Sequence, residues 1–269
     1  METPSPTVTV LDRILEARRA EVEHRKKVLP LTALKYGVRA ATPLRDFSAA
    51  LEKPGLRVIA ELKPASPSRG VIREAFDPAE LAKSLEAAGA AALSVLTETA
   101  FFRGSLKNLR DARKASALPA LRKDFIFDPW QVWEARANDA DSFLLIVAAL
   151  NDAQLAELLS EGRELGMEPL VEVHTRGELD RAIAAGAKIV GVNNRDLKTL
   201  EVRLQTSFDL IEHIPESCIA VSESGIRAHD DLRKLAAAGF DAFLIGEQLM
   251  LAADPGSALE RLLSQPAQE

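Results

Sequence analysis

Short apolar, β-branched runs alternate with longer Ala/Leu/Glu/Arg segments along this chain, and the pair recurs eight times in the order strand then helix. The pattern predicts strands at Val58–Leu62, Ala92–Leu96, Ala120–Arg122, Ser142–Ile146, Leu170–Val173, Ile189–Val192, Ile219–Ser222 and Ala242–Ile245. Their interiors are apolar throughout rather than alternating, which suits parallel strands covered outside by helices. Helices are predicted at Pro78–Ala88, Ser105–Lys114, Pro129–Asn138, Asp152–Leu165, Arg176–Ala185, Thr206–His213, Ala228–Ala238 and Pro255–Leu263. Asp77-Pro78, Asp128-Pro129 and Asp254-Pro255 each place an N-capping carboxylate before a proline in the first helical turn. Gly89, Gly186 and Gly239 each follow a small-residue helix end and precede a strand, as C-capping glycines do. Eight such units within about 210 residues predict an α/β fold, a closed (β/α)8 TIM barrel. The rival, a doubly wound open sheet, would want a G-x-G-x-x-G turn after the first strand, and none is there. Residues 1–50 precede the barrel; Val10, Ile14, Leu15 and Val22 predict an amphipathic helix, and Pro30 and Pro43 break the chain after it. The expectation is one domain over 1–269, with an N-terminal helical extension packed on the barrel.

Composition narrows what such a barrel does. A formal net charge of −6 with one tyrosine and two tryptophans is unlike a nucleic-acid groove, which wants a basic face and stacking rings. No apolar stretch reaches 18 residues, so no membrane span is expected. The opening METPSPTV lacks a basic start and apolar run, and a single cysteine, Cys218, rules out an internal disulfide framework, so a cytoplasmic setting is expected. The four histidines lack metal-ligand spacing, and no metal is predicted. Trp130 and Trp133, three apart on a helix, read as packing. Outer barrel helices are amphipathic with or without a partner, so monomer and weak homodimer both stay open.

In this fold, chemistry sits where strands run into the following loops. Those positions are polar here: Glu61 and Lys63 after the first strand, Thr97-Glu98 after the second, Arg122-Lys123-Asp124 after the third, Glu172 and His174 on the fifth, Asn193-Asn194-Arg195-Asp196 after the sixth, Glu223-Ser224-Gly225 after the seventh, and Gly246-Glu247 after the eighth. A lone charge at a strand end is commonly just solvated. Here several converge: Glu61 and Lys63 share one face of their strand, and Glu172 is an acid inside a buried apolar run, costly unless paired or functional. Such a carboxylate facing a lysine from another strand makes an acid–base pair. The glycine turns after the seventh and eighth strands suit a phosphate, although turns use glycine anyway. The fourth strand ends apolar and suits a hydrophobic wall.

Taken together, Ile59-Ala60-Glu61-Leu62-Lys63 with Ser66-Pro67-Ser68, Leu96-Thr97-Glu98 with Phe102-Arg103-Gly104-Ser105, Leu121-Arg122-Lys123-Asp124-Phe125, Val171-Glu172-Val173-His174, Gly191-Val192-Asn193-Asn194-Arg195-Asp196-Leu197, Glu223-Ser224-Gly225-Ile226 and Ile245-Gly246 resemble the indole-3-glycerol-phosphate synthase family, in order and at all but one strand end. The resemblance implies closure of 1-(2-carboxyphenylamino)-1-deoxyribulose 5-phosphate to an indole with loss of carbon dioxide and water, in tryptophan biosynthesis, with no cofactor. It implies Lys123 as general acid and Glu172 as acid–base partner in the dehydration. Lys63 would contact the substrate carboxylate and assist proton transfer, and Glu61 would hold the lysine ammonium groups. Asn193, Arg195, Glu223 and Ser224 would orient the intermediate. Ser66, Gly225, Gly246 and Glu247 would take the phosphate, and Phe102, Phe125, Leu144, Ile146 and Leu197 would form the slot for the aromatic ring. Many family members carry serine in place of Glu247, which puts a hydroxyl contact to phosphate in doubt.

Without the resemblance, Lys123 would also suit a Schiff-base aldolase, where borohydride traps an imine. A phosphate-binding barrel without turnover is a further reading, though such a module has no need of both an acid and a base.

Overall fold

The computed structural model describes residues 9–264, so METPSPTV, and with it the reading that no signal segment opens the chain, lies outside the described residues. Eight parallel strands close into a barrel: β1 (Arg57–Leu62), β2 (Ala92–Leu96), β3 (Ala120–Lys123), β4 (Ser142–Ile146), β5 (Leu170–Val173), β6 (Ile189–Asn193), β7 (Ile219–Glu223) and β8 (Ala242–Ile245). Neighbours follow chain order, and β1 closes the ring by pairing with both β8 and β2. The helices are α1 (Val10–Val28), α2 (Leu31–Val38), α3 (Phe47–Leu51), α4 (Pro78–Ala87), α5 (Leu106–Ala115), α6 (Pro129–Ala137), α7 (Asp152–Glu164), α8 (Arg176–Ala184), α9 (Gln205–Ile211), α10 (His229–Ala238), α11 (Glu247–Leu251) and α12 (Pro255–Leu263). The helix expected at 206–213 thus starts one residue earlier and stops two earlier. No helix among the described residues is long and apolar enough to cross a membrane.

The predicted caps are built as such. Asp77, Asp128 and Asp254 each accept a backbone N–H from the first turn of the helix they precede. Gly239 closes α10 at φ 115°, a left-handed conformation that an L side chain pays to adopt.

Two differences from the sequence pattern matter for the site. β3, β6 and β7 each extend one residue beyond the apolar run and take Lys123, Asn193 and Glu223 into the sheet. Strand pairing carries them, since Lys123 sits in register with Leu96 and Asn193 with Glu223; the local residue type does not announce it. Unexpected short elements also appear: a two-residue antiparallel ladder of Ala65–Ser66 with Gly70–Val71, a 3-10 turn at Val147–Ala149, and α2, α3 and α11. All are too short for periodicity to reveal.

The barrel interior is layered. Ile59, Leu121, Leu144, Leu170, Ile189, Val221 and Leu244 form a buried apolar cluster, joined by Phe47 and Leu51 of α3. Glu61, Lys123, Glu172 and Glu223 lie two residues further along their strands, on the same face and about 6.6 Å higher. The outward faces, such as Val58, Leu93, Phe143, Val171 and Phe243, pack under the helices.

Helix α1 is docked by a buried ion network as well as by apolar contact. Ile14, Leu15, Arg18 and Val22 are its buried residues. Arg18, 1% exposed, places Nη2 2.7 Å from Oδ2 of Asp124, which also accepts from Thr97 (2.6 Å) and Arg122 (2.8 Å). Glu134 takes Arg122 at 2.9 Å and Arg25 of α1 at 2.5 Å. Burial opposes the charge on Asp124, but the Arg122 and Arg18 guanidiniums outweigh it and hold the carboxyl below its usual range. Trp130 packs with Val22 and Leu34, and its indole N–H donates to the Leu29 carbonyl at 2.9 Å. Removing one member of a buried charge network strands its partners, so Arg18→Met should cost about 3 kcal/mol of stability, read from urea unfolding. The double variant with Asp124→Asn should recover part of that loss.

Candidate active site

The charged layer opens into a cavity of about 510 Å³ at the C-terminal ends of the strands. Its floor is a chain of charges. Lys123 Nζ lies 2.9 Å from Glu172 Oε2 and 2.8 Å from Glu223 Oε2, so β5 and β7 supply one carboxylate each to the ammonium of β3. Lys63 Nζ pairs with Glu61 Oε1 at 2.7 Å, one turn of the pleat apart on β1 and its exit. Two glycines make room for the acids: a Cβ on Gly191 would run into the Glu223 carboxylate, and one on Gly246 into that of Glu61.

Burial and neighbouring charge push the acids apart. For Glu172, burial raises the pKa, but Lys123 and His174 overcome it and bring the carboxyl down to about 2. For Glu223, burial and the like charge of Glu172 prevail over Lys123 and push it up to about 7. Lys123 is itself buried, which disfavours its charge, yet Glu172, Glu223 and Glu61 more than compensate and raise its pKa. The floor therefore holds a fixed cation, a fixed anion and a carboxyl that titrates near neutrality.

The cavity gathers sixteen of the seventeen residues singled out from the sequence: Glu61, Lys63, Phe102, Lys123, Phe125, Leu144, Ile146, Glu172, Asn193, Arg195, Leu197, Glu223, Ser224, Gly225, Gly246 and Glu247 all line it. Ser66 does not. It lines an adjoining cavity of about 100 Å³ that shares Lys63, Phe102, Phe125, Arg195, Leu197 and Glu247 as walls. Phe102 and Phe125 face each other with ring centroids 6.0 Å apart, and Leu144 and Ile146 continue that apolar side. Ser224 and Gly225 are consecutive left-handed residues, φ 66° and 85°, and a Cβ on Gly225 would meet Val202.

Other expectations change. Glu61 makes its ion pair with Lys63 alone, and the pair on Lys123 belongs to Glu172 and Glu223. Glu223 is thus part of the charge chain, where the resemblance implied only an orienting role. Arg122 and Asp124 flank Lys123 but serve the α1 network, and Glu98 accepts three backbone N–H groups of residues 100–102 to shape its own loop. Asn194 ties down the loop around Ser222 and Ser207. Arg69 had no sequence signal, and His174 stood only among the polar rim residues, without an assigned part in the site. Arg69 reaches Glu247 from the β1 exit loop at 2.8 Å, while Arg195 holds the other carboxylate oxygen at 3.3 Å. His174 Nε2 stands 3.4 Å from Glu172 Oε1. Among the described residues, no three His, Cys, Asp or Glu side chains are grouped to hold a metal ion.

The sequence model of the family described as indole-3-glycerol phosphate synthase matches residues 11–262. The chain belongs to the indole-3-glycerol phosphate synthase family. The indole-3-glycerol phosphate synthase of Rhodococcus opacus is 50% identical over 260 residues, 97% of each chain. That of Mycolicibacterium smegmatis is 49% identical over 258 residues, 96% of this chain and 95% of the other. Membership of the indole-3-glycerol phosphate synthase family makes the chain a decarboxylating, ring-closing lyase of tryptophan biosynthesis acting on a phosphorylated small molecule. Solved structures of lower identity share the fold alone: thiamine phosphate pyrophosphorylase from Pyrococcus furiosus has a TM-score of 0.58 at 21% identity, over 79% of this chain and 95% of that one. A 3-hexulose-6-phosphate synthase from Salmonella typhimurium gives 0.59 at 12% identity, over 77% and 96%.

The charge chain of this indole-3-glycerol phosphate synthase site has a direct spectroscopic consequence. In the substrate-free protein one buried carboxyl should titrate at about 7, visible by isotope-edited infrared difference spectroscopy, and vanish in Glu223→Gln. Because the folded value lies above the ordinary 4.5, this group adds to stability as pH falls from 7 towards 4.5 and the native state holds its proton more tightly than the unfolded chain. Glu223→Gln should flatten that part of the stability–pH profile.

Proposed function

We propose that Lys123 is the general acid of the ring closure and Glu172 the base of the dehydration. The observation that carries this reading is the Lys123 ammonium held between Glu172 and Glu223 on the floor of a cavity whose other side is apolar. Attack of the aromatic carbon on the ribulose carbonyl builds negative charge on oxygen. A lysine kept protonated by its acidic neighbours donates to that alkoxide, help generally worth about 10²–10⁴-fold in rate. Loss of carbon dioxide then restores the aromatic ring. Glu172, ionised through neutrality, removes a ring C–H proton as the new hydroxyl leaves as water.

Lys63, paired with Glu61, would meet the substrate carboxylate before it departs. Phe102, Phe125, Leu144, Ile146 and Leu197 would hold the aromatic ring, and Asn193, Arg195, Glu223 and Ser224 the ribulose hydroxyls. The N–H groups of Gly225, Gly246 and Glu247, with Ser66 across the adjoining cavity, would take the phosphate. Anchoring both ends turns the attack into an oriented intramolecular step, for which effective molarities of about 10⁵–10⁸ M are known. The fold reads as one (β/α)8 domain carrying 1–50 as an extension. A cytoplasmic setting agrees with the lone, half-buried Cys218.

Indole fluorescence on mixing with the carboxyphenylamino-deoxyribulose phosphate tests the assignment. Lys123→Ala should lose at least ~100-fold in kcat, with Glu172→Gln impaired in the dehydration and accumulating the hydroxylated ring intermediate. Near-normal turnover by Lys123→Ala would move the acid to Lys63.

A further inference from the structure

The reaction consumes a proton. The substrate carboxylate enters charged and leaves as neutral carbon dioxide, so charge balances only if one proton is taken from solution per turnover. Lys123 gives one to the carbonyl oxygen and, once recharged, a second to the departing hydroxyl, and Glu172 recovers one from carbon and returns it to Lys123. The floor ends one proton short while substrate or product fills the mouth above it.

Behind Glu172 lies a group placed to make up that deficit. The His174 side chain is 10% exposed and points back between two carboxylates. Nδ1 is 3.2 Å from Glu178 Oε2, which also accepts the His174 backbone N–H at 2.8 Å. Nε2 is 3.4 Å from Glu172 Oε1, fully buried and without a hydrogen-bond partner. The other Glu172 oxygen is already on Lys123. The charged groups that weigh most on the imidazole are acids: Glu172 on β5, Glu178 on α8, Glu223 on β7 and, from the loop after β6, Asp196, with the Lys123 ammonium on the far oxygen of Glu172. Burial opposes protonation of the ring, but these acids overcome it and hold the imidazole above its ordinary value. The outer carboxylate, Glu178, is 18% exposed against 3% for Glu172, so the pair steps from solvent to the buried floor.

We propose that His174 stores the proton each turnover consumes and delivers it through Glu172 to Lys123. After ring closure, while Glu172 is still a carboxylate, the Nε2–H bond breaks and an Oε1–H bond forms on Glu172. The neutral carboxyl turns and passes that proton to the Lys123 amine, regenerating ammonium and carboxylate. The imidazole keeps its Nδ1–H on Glu178 and is refilled from solvent once product has left. His174 does not line the cavity, so it acts through Glu172 as a positioning and proton-storing residue. This rests on the roles proposed above for Lys123 and Glu172.

The test is the pH dependence of kcat in His174→Gln, which keeps a hydrogen-bonding side chain but cannot carry a proton. With KM within about twofold, kcat should fall by about tenfold near neutral pH, and the alkaline limb of the wild-type profile, where the store empties, should disappear. Imidazole added to His174→Ala should restore turnover. Glu178→Gln should move the same limb to lower pH by removing a charge that favours the imidazolium, which distinguishes it from titration of Glu223. Wild-type kcat and an unchanged limb in His174→Gln would overturn the proposal. Should that variant fail to fold, an unmoved limb in Glu178→Gln would overturn it equally. Lys123→Ala run in parallel separates the two readings: its loss of activity beside an unaffected His174→Gln removes the store and leaves the acid in place.

Discussion

Lys123 stays charged on the buried floor of the barrel mouth because two carboxylates reach it from β5 and β7, two and four strands round the ring. Taking an ammonium out of water is costly, and only close, well-placed acids offset that cost. Glu172 and Glu223 do so at 2.9 and 2.8 Å. Much of the rim is arranged around these carboxylates. Gly191 and Gly246 lack side chains where Glu223 and Glu61 need the space. The two acids on Lys123 cannot both be comfortable as anions, so one sits low and the other is driven to about 7.

The same strand positions its lysine by what lies behind it. Alternation along β3 sends Arg122 outward and Lys123 inward. Outside, Arg122 and Asp124 join Arg18 of α1 and Glu134 of α6 in a buried network that reaches solvent through Arg25. The N-terminal helix is thereby tied to the residues on either side of Lys123. Phe125, one residue further along, then turns into the cavity as part of its apolar wall. Stability and chemistry meet on four consecutive residues.

The repeated strand–helix order, the Asp-Pro starts and the apolar strand interiors were enough to read the barrel, because each is a local statement about period and capping. Most of the rim was legible for a related reason. In this topology each strand ends at the same face, so residues at strand ends are near one another whatever their separation in sequence. Pairing was less legible. Glu61 looked like a holder for both lysines, yet geometry gives it Lys63 and leaves Lys123 to acids 49 and 100 residues away. The two-residue spacing puts His174 on the face of Glu172, but nothing local marks Arg69 as a partner of Glu247, since exposed loops carry such residues routinely.

The sequence by itself determined the class of fold, the face on which the chemistry sits and the residue types available there, since hydrophobic period and turn chemistry act over a few residues. Only the tertiary structure decided which acid meets which base, which carboxyl keeps its proton and how α1 is held. Those outcomes depend on distances of about 3 Å between side chains on different strands and on the water excluded around them, and burial of charge is a property of the closed barrel rather than of any segment of it.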